Sequence, residues 1–172
     1  MYLKNDVITL RALEPEDLEQ FYSWENDSTL WPVSSAVEPY SRYIIKEYIA
    51  YSDKTIYEKK QLRLIIERTT DKVVIGAIDL FDFEPHHLRA GVGVLIDKKF
   101  QNQGFGKEAL HLLITYAFDF LKLKQLYAHI PVTNVASISL FSNLHFLQTG
   151  ILKSWLRDGD DFMDVAIFQL IP

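Results

Sequence analysis

The sequence contains no cysteine among its 172 residues. This absence excludes disulfide bonds, catalysis by a thiolate and cysteine-type zinc sites. No apolar run approaches the ~18 residues that a membrane-spanning helix needs, and the N-terminus lacks the apolar core of a signal peptide. We therefore expect a cytoplasmic protein that has no membrane partner.

An excess of positive charge is also missing, because the formal net charge is −5. No predicted helix carries a basic stripe, so the charge pattern gives no reason to expect nucleic acid as a partner. The chain has no repeat, linker or low-complexity segment. Because 48% of its residues are apolar, we expect a single domain over residues 1–172 with a substantial buried core.

The apolar periodicity predicts the element order βααβββαβαββ. Strands are expected at 7–13, 62–67, 73–83, 89–96, 126–131, 146–155 and 162–170. Helices are expected to begin at Pro15 and Ser41 and to cover 107–121 and 134–144. The second helix is predicted to bury Ile44, Ile45, Tyr48 and Ile49. This order indicates an α/β (α+β) fold, with one mixed central sheet and helices on both faces.

A polar loop with two glycines, Gly104 and Gly106, lies between a predicted strand and a predicted helix. The unpaired N–H groups and the positive dipole end of such a helix start favour a phosphate or pyrophosphate. A Walker A loop is excluded, because Gln101 stands where a glycine is needed and Glu108 where a hydroxyl is needed.

A dinucleotide-binding fingerprint fits the same loop on paper, since residues 104–109 satisfy G-x-G-x-x-A. Its context does not fit. Residues 97–103 separate the glycines from the preceding strand, and Ala128 and His129 stand where an acidic residue is expected about 20 positions on. A nucleotide-binding oxidoreductase is therefore a weak alternative.

The pattern Q-x-x-G-x-G, formed by Gln101, Gly104 and Gly106, resembles the acetyl-CoA loop of the GNAT superfamily of N-acetyltransferases. Residues 8–18 are similar to the opening of the spermidine/diamine acetyltransferases and of the acetyltransferases of ribosomal-protein N-termini. Residues 76–80, Asn134 and residues 144–146 also fall at matching family positions. Together with the element order, the resemblance covers nearly the whole chain.

The resemblance implies acetyl-CoA as the cosubstrate. Its pantetheine arm would pair with the backbone of Val94, Leu95 and Ile96, and Asn134 would contact it as well as capping a helix. Lys107 would add positive charge. The pyrophosphate would lie on the backbone amides of the loop residues Gln101, Asn102, Gln103, Gly104, Phe105 and Gly106. A Cβ at either glycine would hinder that approach.

The catalytic groups are unassigned, because this chain departs from its relatives at both usual positions. Phe141 stands where the polyamine enzymes carry a tyrosine that protonates the sulfur. Gly91 matches the position of a carboxylate found in many relatives. Ser142, acting through water, and the His86–His87 pair are weak replacement candidates. Adjacent histidines point in different directions on an extended chain, so we expect no metal site.

The resemblance implies two substrate-binding carboxylates. Asp82 matches one that helps to hold a cationic substrate. Glu38 matches a polyamine-contacting glutamate, although Val37 replaces its acidic neighbour. Asp79 is the weaker candidate, and on a regular strand Asp79 and Asp82 point to opposite faces. The loop around Trp31 either lines the acceptor pocket or packs in the core.

The leading hypothesis is direct, acetyl-CoA-dependent acetylation of a primary amine. The acceptor is a small polyamine-like molecule, a protein N-terminus or another amine metabolite. The main alternative is an acyl-CoA-binding module of the same fold with weak or lost catalysis. The oligomeric state is open, and a homo-oligomer is one of the options.

Overall fold

The computed structural model describes residues 2–31, 34 and 36–172 and contains a seven-stranded sheet of order β1-β2-β3-β4-β5-β7-β6. Neighbouring strands are antiparallel except β4 and β5, which are parallel. The mixed sheet confirms the predicted fold class. The strands are β1 Ile8–Arg11, β2 Leu62–Arg68, β3 Val74–Glu84, β4 Arg89–Ile96, β5 Gln125–Pro131, β6 Leu147–Asp158 and β7 Asp161–Leu170.

Five α-helices connect the strands of the described chain: α1 Leu18–Glu25, α2 Arg42–Tyr51, α3 Ile56–Lys59, α4 Phe105–Thr115 and α5 Val135–Ser142. The helix α4 continues into a wider π-type turn at Tyr116–Phe120. The short helix α3 was not predicted. Its sequence signal is the capping box in which Thr55 and Glu58 satisfy each other's backbone amides.

The helices cover both faces of the sheet, as the sequence predicts. On one face α4 and α5 pack over a large core that includes Leu110, Leu113 and Phe141. On the other face α1 and α2 pack over a smaller core that includes Phe21 and Ile45. The sheet therefore has one face for each pair of helices.

One residue of the predicted apolar face of α2 is placed wrongly by the sequence analysis. Ile45 and Ile49 are buried, and Tyr48 stacks on Phe21, but Ile44 is 45% exposed. The helix contacts the sheet through a narrow i, i+4 stripe, and Ile44 lies beside that stripe. Ser41 caps this helix by accepting a hydrogen bond from the Ile44 amide.

A buried ion pair holds the N-terminal strand to the chain that follows it. Asp17, which is 4% exposed, accepts two hydrogen bonds from the Arg11 guanidinium, at 2.8 and 2.9 Å, and Arg11 also donates to Glu67 at 2.6 Å. Burial raises the pKa of Asp17, but the hydrogen bonds from Arg11 and the Glu14 amide outweigh burial. The pKa of Asp17 is therefore lowered from its usual value of 3.8.

We expect Asp17→Asn to lower the free energy of unfolding by about 2 kcal/mol near neutral pH, because Arg11 loses a charged partner inside the protein. Because the folded pKa is depressed, this difference is fully present above the usual value of 3.8 and disappears as pH falls through the lower, folded pKa. Urea unfolding at neutral pH and at successively lower pH below 3.8 measures the difference. A constant difference over that range would contradict the assignment.

No helix in residues 2–31, 34 and 36–172 is long and apolar enough to span a membrane.

Candidate active site

The parallel strands β4 and β5 pair at three positions only, from Arg89↔Gln125 to Gly91↔Tyr127. On its other side, β4 pairs with β3 as far as Gly76↔Ile96. The β4–β5 ladder therefore stops at Gly91, and the edge of residues 92–96 that faces β5 is open inside the sheet. Unpaired strand edges of this kind bind extended ligands through backbone hydrogen bonds. The predicted contact residues Val94, Leu95 and Ile96 lie on this edge.

The glycine loop follows β4 and leads into α4. Gly104 has φ +85° and is the N-cap of α4. Among the described residues, the amides of Gly104, Phe105 and Gly106 find no acceptor in the protein. Lys107 lies exposed in the first turn of the helix. Consecutive free amides at the positive end of a helix form an anion site.

The polar side chains of this loop shape it from within. Gln101 donates from Nε2 to the Ile96 carbonyl at 3.1 Å, and Gln103 donates in the same way to the Lys99 carbonyl at 3.1 Å. Asn102 has φ +59°, a left-handed conformation. Because the side chains are engaged with the loop's own carbonyls, the loop presents backbone amides to a ligand.

The two loop glycines, Gly104 and Gly106, have different surroundings. A Cβ on Gly104 would meet nothing within 4 Å, so the space in front of it is open, and its positive φ favours glycine. A Cβ on Gly106 would lie 3.4 Å from Leu140 and 3.6 Å from Ile96. The open space at Gly104 is compatible with the predicted close approach of a ligand, whereas a Cβ on Gly106 would make only ordinary contacts with its neighbours.

Asn134 caps α5, as predicted, since its Oδ1 accepts a hydrogen bond from the Ser137 amide at 3.1 Å. The residue is exposed. Because capping uses the oxygen, the amide nitrogen of Asn134 is available to a ligand, and the two predicted roles are compatible.

A cavity of about 650 Å³ opens on the α1 face of the sheet beside the open edge of β4. Its volume lies in the range typical of small-molecule sites. The lining is contributed by α1, by the loop after it, by the short connection from α3 to β2 and by strands β2 to β4. It consists of Phe21, Trp24, Glu25, Leu30, Ser34, Lys60, Gln61, Arg63, Ala77, Asp79, Phe81, Asp82, Gly93, Val94 and Leu95.

The floor of the cavity contains a cation held between two carboxylates. The Arg63 guanidinium donates to Asp79 at 2.5 and 2.9 Å and to Glu25 at 2.9 Å, and it lies 5.1 Å above the centre of the Phe21 ring. Burial alone would lower the pKa of Arg63, but Asp79 raises it above its usual value. The guanidinium therefore stays charged and fixes both acids.

Asp79 and Asp82 line the same cavity, contrary to the expectation for a regular strand. Asp82 has φ +46°, and the β3–β4 register shifts between Phe81 and Glu84. This bulge reverses the alternation of side chains. Asp79 is occupied by Arg63, whereas Asp82 is exposed and has the Tyr127 hydroxyl at 3.5 Å.

Both departures at the catalytic positions have structural explanations. Phe141 is 2% exposed and packs against Phe146, with 4.9 Å between ring centres, so it belongs to the core. A Cβ on Gly91 would lie 2.3 Å from the Phe81 ring. A carboxylate at position 91 is therefore incompatible with the position of Phe81.

The remaining single-residue candidates lie outside the lining of the cavity. Glu38, Ser142 and the pair His86–His87 are exposed. Trp31 is half-buried and donates from its indole to the Glu25 carbonyl at 3.0 Å. Of the predicted acceptor-side residues, the structure brings Asp82 and Asp79 to the cavity, and the loop around Trp31 contributes Leu30 and Ser34 to its lining.

Sequence reasoning missed the residues that join the cavity to the glycine loop. Asp97, at the end of β4, accepts hydrogen bonds from the Trp24 indole at 3.0 Å and from the Lys99 amide at 3.0 Å. Lys98 donates to Asp27 at 2.8 Å, beyond the end of α1. These hydrogen bonds connect α1 and the residues after it, on one side of the cavity, to the segment that leads into the glycine loop. The only sequence signal was a run of charged residues directly after a strand.

An open strand edge, a free-amide loop at its end and a cavity beside it are the features expected of an acyl-CoA-dependent transferase. Residues 8–147 match the acetyltransferase (GNAT) domain family, and the chain belongs to this family. It is an N-acetyltransferase with acetyl-CoA as the acetyl donor.

Individual relatives are similar over nearly their full length. The spermidine N(1)-acetyltransferase of Vibrio cholerae is 27% identical, over 97% of this chain and 94% of that protein. The structure of a Vibrio cholerae spermidine N-acetyltransferase in complex with CoA and spermine has a TM-score of 0.83 and 25% identity, covering 97% and 96% of the two chains. A dodecameric structure of spermidine N-acetyltransferase from Vibrio cholerae has a TM-score of 0.80 and 26% identity, covering 97% of this chain and 95% of that chain.

Proposed function

We propose that this chain acetylates a primary amine of a small polyamine-like molecule by direct transfer from acetyl-CoA. The observation that carries the proposal is the cavity beside the open edge of β4, whose charged lining residues are three carboxylates (Glu25, Asp79, Asp82) and two cations (Lys60, Arg63). The surplus acid suits an ammonium group. The CoA and spermine complex of a Vibrio cholerae relative supports the same substrate class.

Acetyl-CoA, when bound, supplies a thioester whose carbonyl carbon accepts the amine. The amides of Gln101 to Gly106 and the Lys107 ammonium would hold the pyrophosphate. The open edge of Val94, Leu95 and Ile96 would hold the pantetheine arm, and an N–H on that edge would polarise the carbonyl. The free-amide loop and the open edge fit these groups.

The acceptor would enter through the cavity on the α1 face. Asp82 would hold its ammonium group, because Asp79 and Glu25 are already bound by Arg63. Transfer would be direct, since the chain has no cysteine to carry an acetyl group. A homo-oligomer is part of the proposal, supported by the dodecamer of a Vibrio cholerae relative.

Release of free thiol over an amine panel tests the proposed function. We expect turnover with spermidine, spermine and short diamines at higher kcat/KM than with peptides that present a free N-terminus. A preference for peptides would contradict the substrate class. Tight acetyl-CoA binding without turnover on any amine would indicate the binding module instead.

We expect Asp82→Asn to raise the KM for a polyamine by about 10-fold, because the variant loses one charge–charge contact with the ammonium group. The KM for acetyl-CoA should stay unchanged. Steady-state kinetics with each substrate varied in turn measures both values. The matched control is Asp160→Asn, an exposed acid in the β6–β7 turn, and an equal effect of the two substitutions would show that Asp82 does not bind the substrate.

A further inference from the structure

The closed end of the β4–β5 opening carries a tyrosine. Tyr127 is the β5 member of the last pair in the ladder, Gly91↔Tyr127. An extended ligand that pairs with residues 92–96 of β4 and enters from the glycine loop would have its far end against this pair. Tyr127 is thus the phenol that the topology places where the reacting end of such a ligand would arrive.

Two neighbours of Tyr127, Phe81 and Asp82, line the cavity. The Phe81 ring meets the Tyr127 ring edge-on, with 6.0 Å between centres and an angle of 83°, and the Tyr127 hydroxyl lies 3.5 Å from Asp82 Oδ2. The absence of a side chain at Gly91 makes room for Phe81. Gly91, which stands where the resemblance implies a carboxylate, therefore also allows the packing of Phe81 that holds Tyr127 beside Asp82.

We propose that Tyr127 is the general acid of the reaction and that Asp82 is its proton partner; this rests on the proposed function. The acceptor reacts as the neutral amine, after its ammonium group has lost one proton to solvent. The amine nitrogen then forms a bond to the carbonyl carbon, and the bond from that carbon to sulfur breaks. The departing sulfur takes the proton of the Tyr127 hydroxyl. Asp82 takes the proton that the nitrogen loses and passes it to the Tyr127 oxygen, so both side chains return to their starting states.

The surroundings of Tyr127 favour the protonated form of its hydroxyl. Burial raises the pKa of Tyr127, and the negative charge of Asp82 raises it further, while Arg89 opposes them. The His129 ring lies 5.5 Å from the Tyr127 ring. The phenol is therefore protonated at neutral pH and can act as a donor. Phe141 cannot take this role, since it has no proton to give and is buried in the core.

The test is Tyr127→Phe, which keeps the ring and removes only the hydroxyl. We expect kcat with the best amine to fall by about 100-fold or more, which is the usual contribution of a general acid, with the KM for acetyl-CoA nearly unchanged. The control is Tyr116→Phe, another partly buried tyrosine that stacks on Phe120 away from the cavity. It should leave kcat unchanged.

A second measurement needs no turnover. The thiol of bound CoA is titrated by its thiolate absorbance in the wild type and in both variants. A hydroxyl that donates to the sulfur stabilises the thiolate, so Tyr127→Phe should raise the pKa of the bound thiol by about one unit. Tyr116→Phe should not change it.

The proposal is overturned if Tyr127→Phe keeps kcat and leaves the bound thiol's pKa unchanged. It is also overturned if Phe141→Tyr brings a large gain in kcat, because the family position would then be the one lacking an acid. A wild-type protein that turns over no amine contradicts the proposed function, whereas the thiol titration still tests Tyr127 by itself.

Discussion

Gly104→Asp is expected to weaken acetyl-CoA binding by about 100-fold. The space in front of Gly104 is open, and the neighbouring amides of Phe105 and Gly106 find no acceptor among the described residues. A carboxylate there would stand in the proposed pyrophosphate position. Two like charges about 4 Å apart repel by about 4 kcal/mol at an effective dielectric constant of about 20, and movement of the side chain relieves part of this. Isothermal titration calorimetry measures the change.

The chain supplies a matched control in Gly159. It also has a positive φ, +63°, and a Cβ there would also meet nothing within 4 Å, but it lies in the β6–β7 turn. Asp at either site occupies the same left-handed region, so both variants should lose similar stability, about 1 kcal/mol. Only Gly104→Asp should lose affinity. Equal affinities of the two variants for acetyl-CoA would show that the glycine loop does not bind the cofactor.

Arg63→Met is expected to lower the free energy of unfolding by about 3 kcal/mol, because it leaves the carboxylates of Asp79 and Glu25 together in the cavity without their cation. For a chain of this length, such a loss corresponds to a fall in Tm of about 6–12 °C. Met keeps much of the packing on Phe21, so the loss reports the charge. Thermal and urea unfolding at neutral pH measure it.

The matched control is Arg42→Met. Arg42 pairs with Glu19 at 2.9 Å, but its side chain is 57% exposed, against 22% for Arg63. An exposed pair contributes little, so this variant should unfold almost like the wild type. Equal losses in the two variants would mean that Arg63 is not an organising residue of the cavity floor.

The conformation of the proposed cofactor side was predictable because its signals are local. The strand at 89–96 has the same limits in the sequence prediction and in the structure. The glycine loop follows it, and the helix begins at Phe105 instead of Lys107. Backbone amides at a helix start need only the right chain conformation, which Gly104 and the polar residues around it indicate.

The proposed acceptor side was less predictable because it depends on departures from regular geometry and on contacts between distant segments. The bulge at Asp82 brings Asp79 and Asp82 to one cavity, and no periodic pattern reveals a bulge. Arg63 meets Glu25 across 38 positions of sequence. Tyr127 becomes a candidate for the general acid only when β5 is known to be the neighbour of β4. Element order alone does not give this strand order.

A crystal structure of the protein with CoA bound tests the central claim most directly. We predict that the pantetheine arm lies in the β4–β5 opening and pairs with Val94 to Ile96, that the pyrophosphate lies on the amides of Gln101 to Gly106, and that the sulfur faces the cavity within hydrogen-bond reach of the Tyr127 hydroxyl. CoA bound outside the opening, or a sulfur directed to the α4 face of the sheet, would contradict the account.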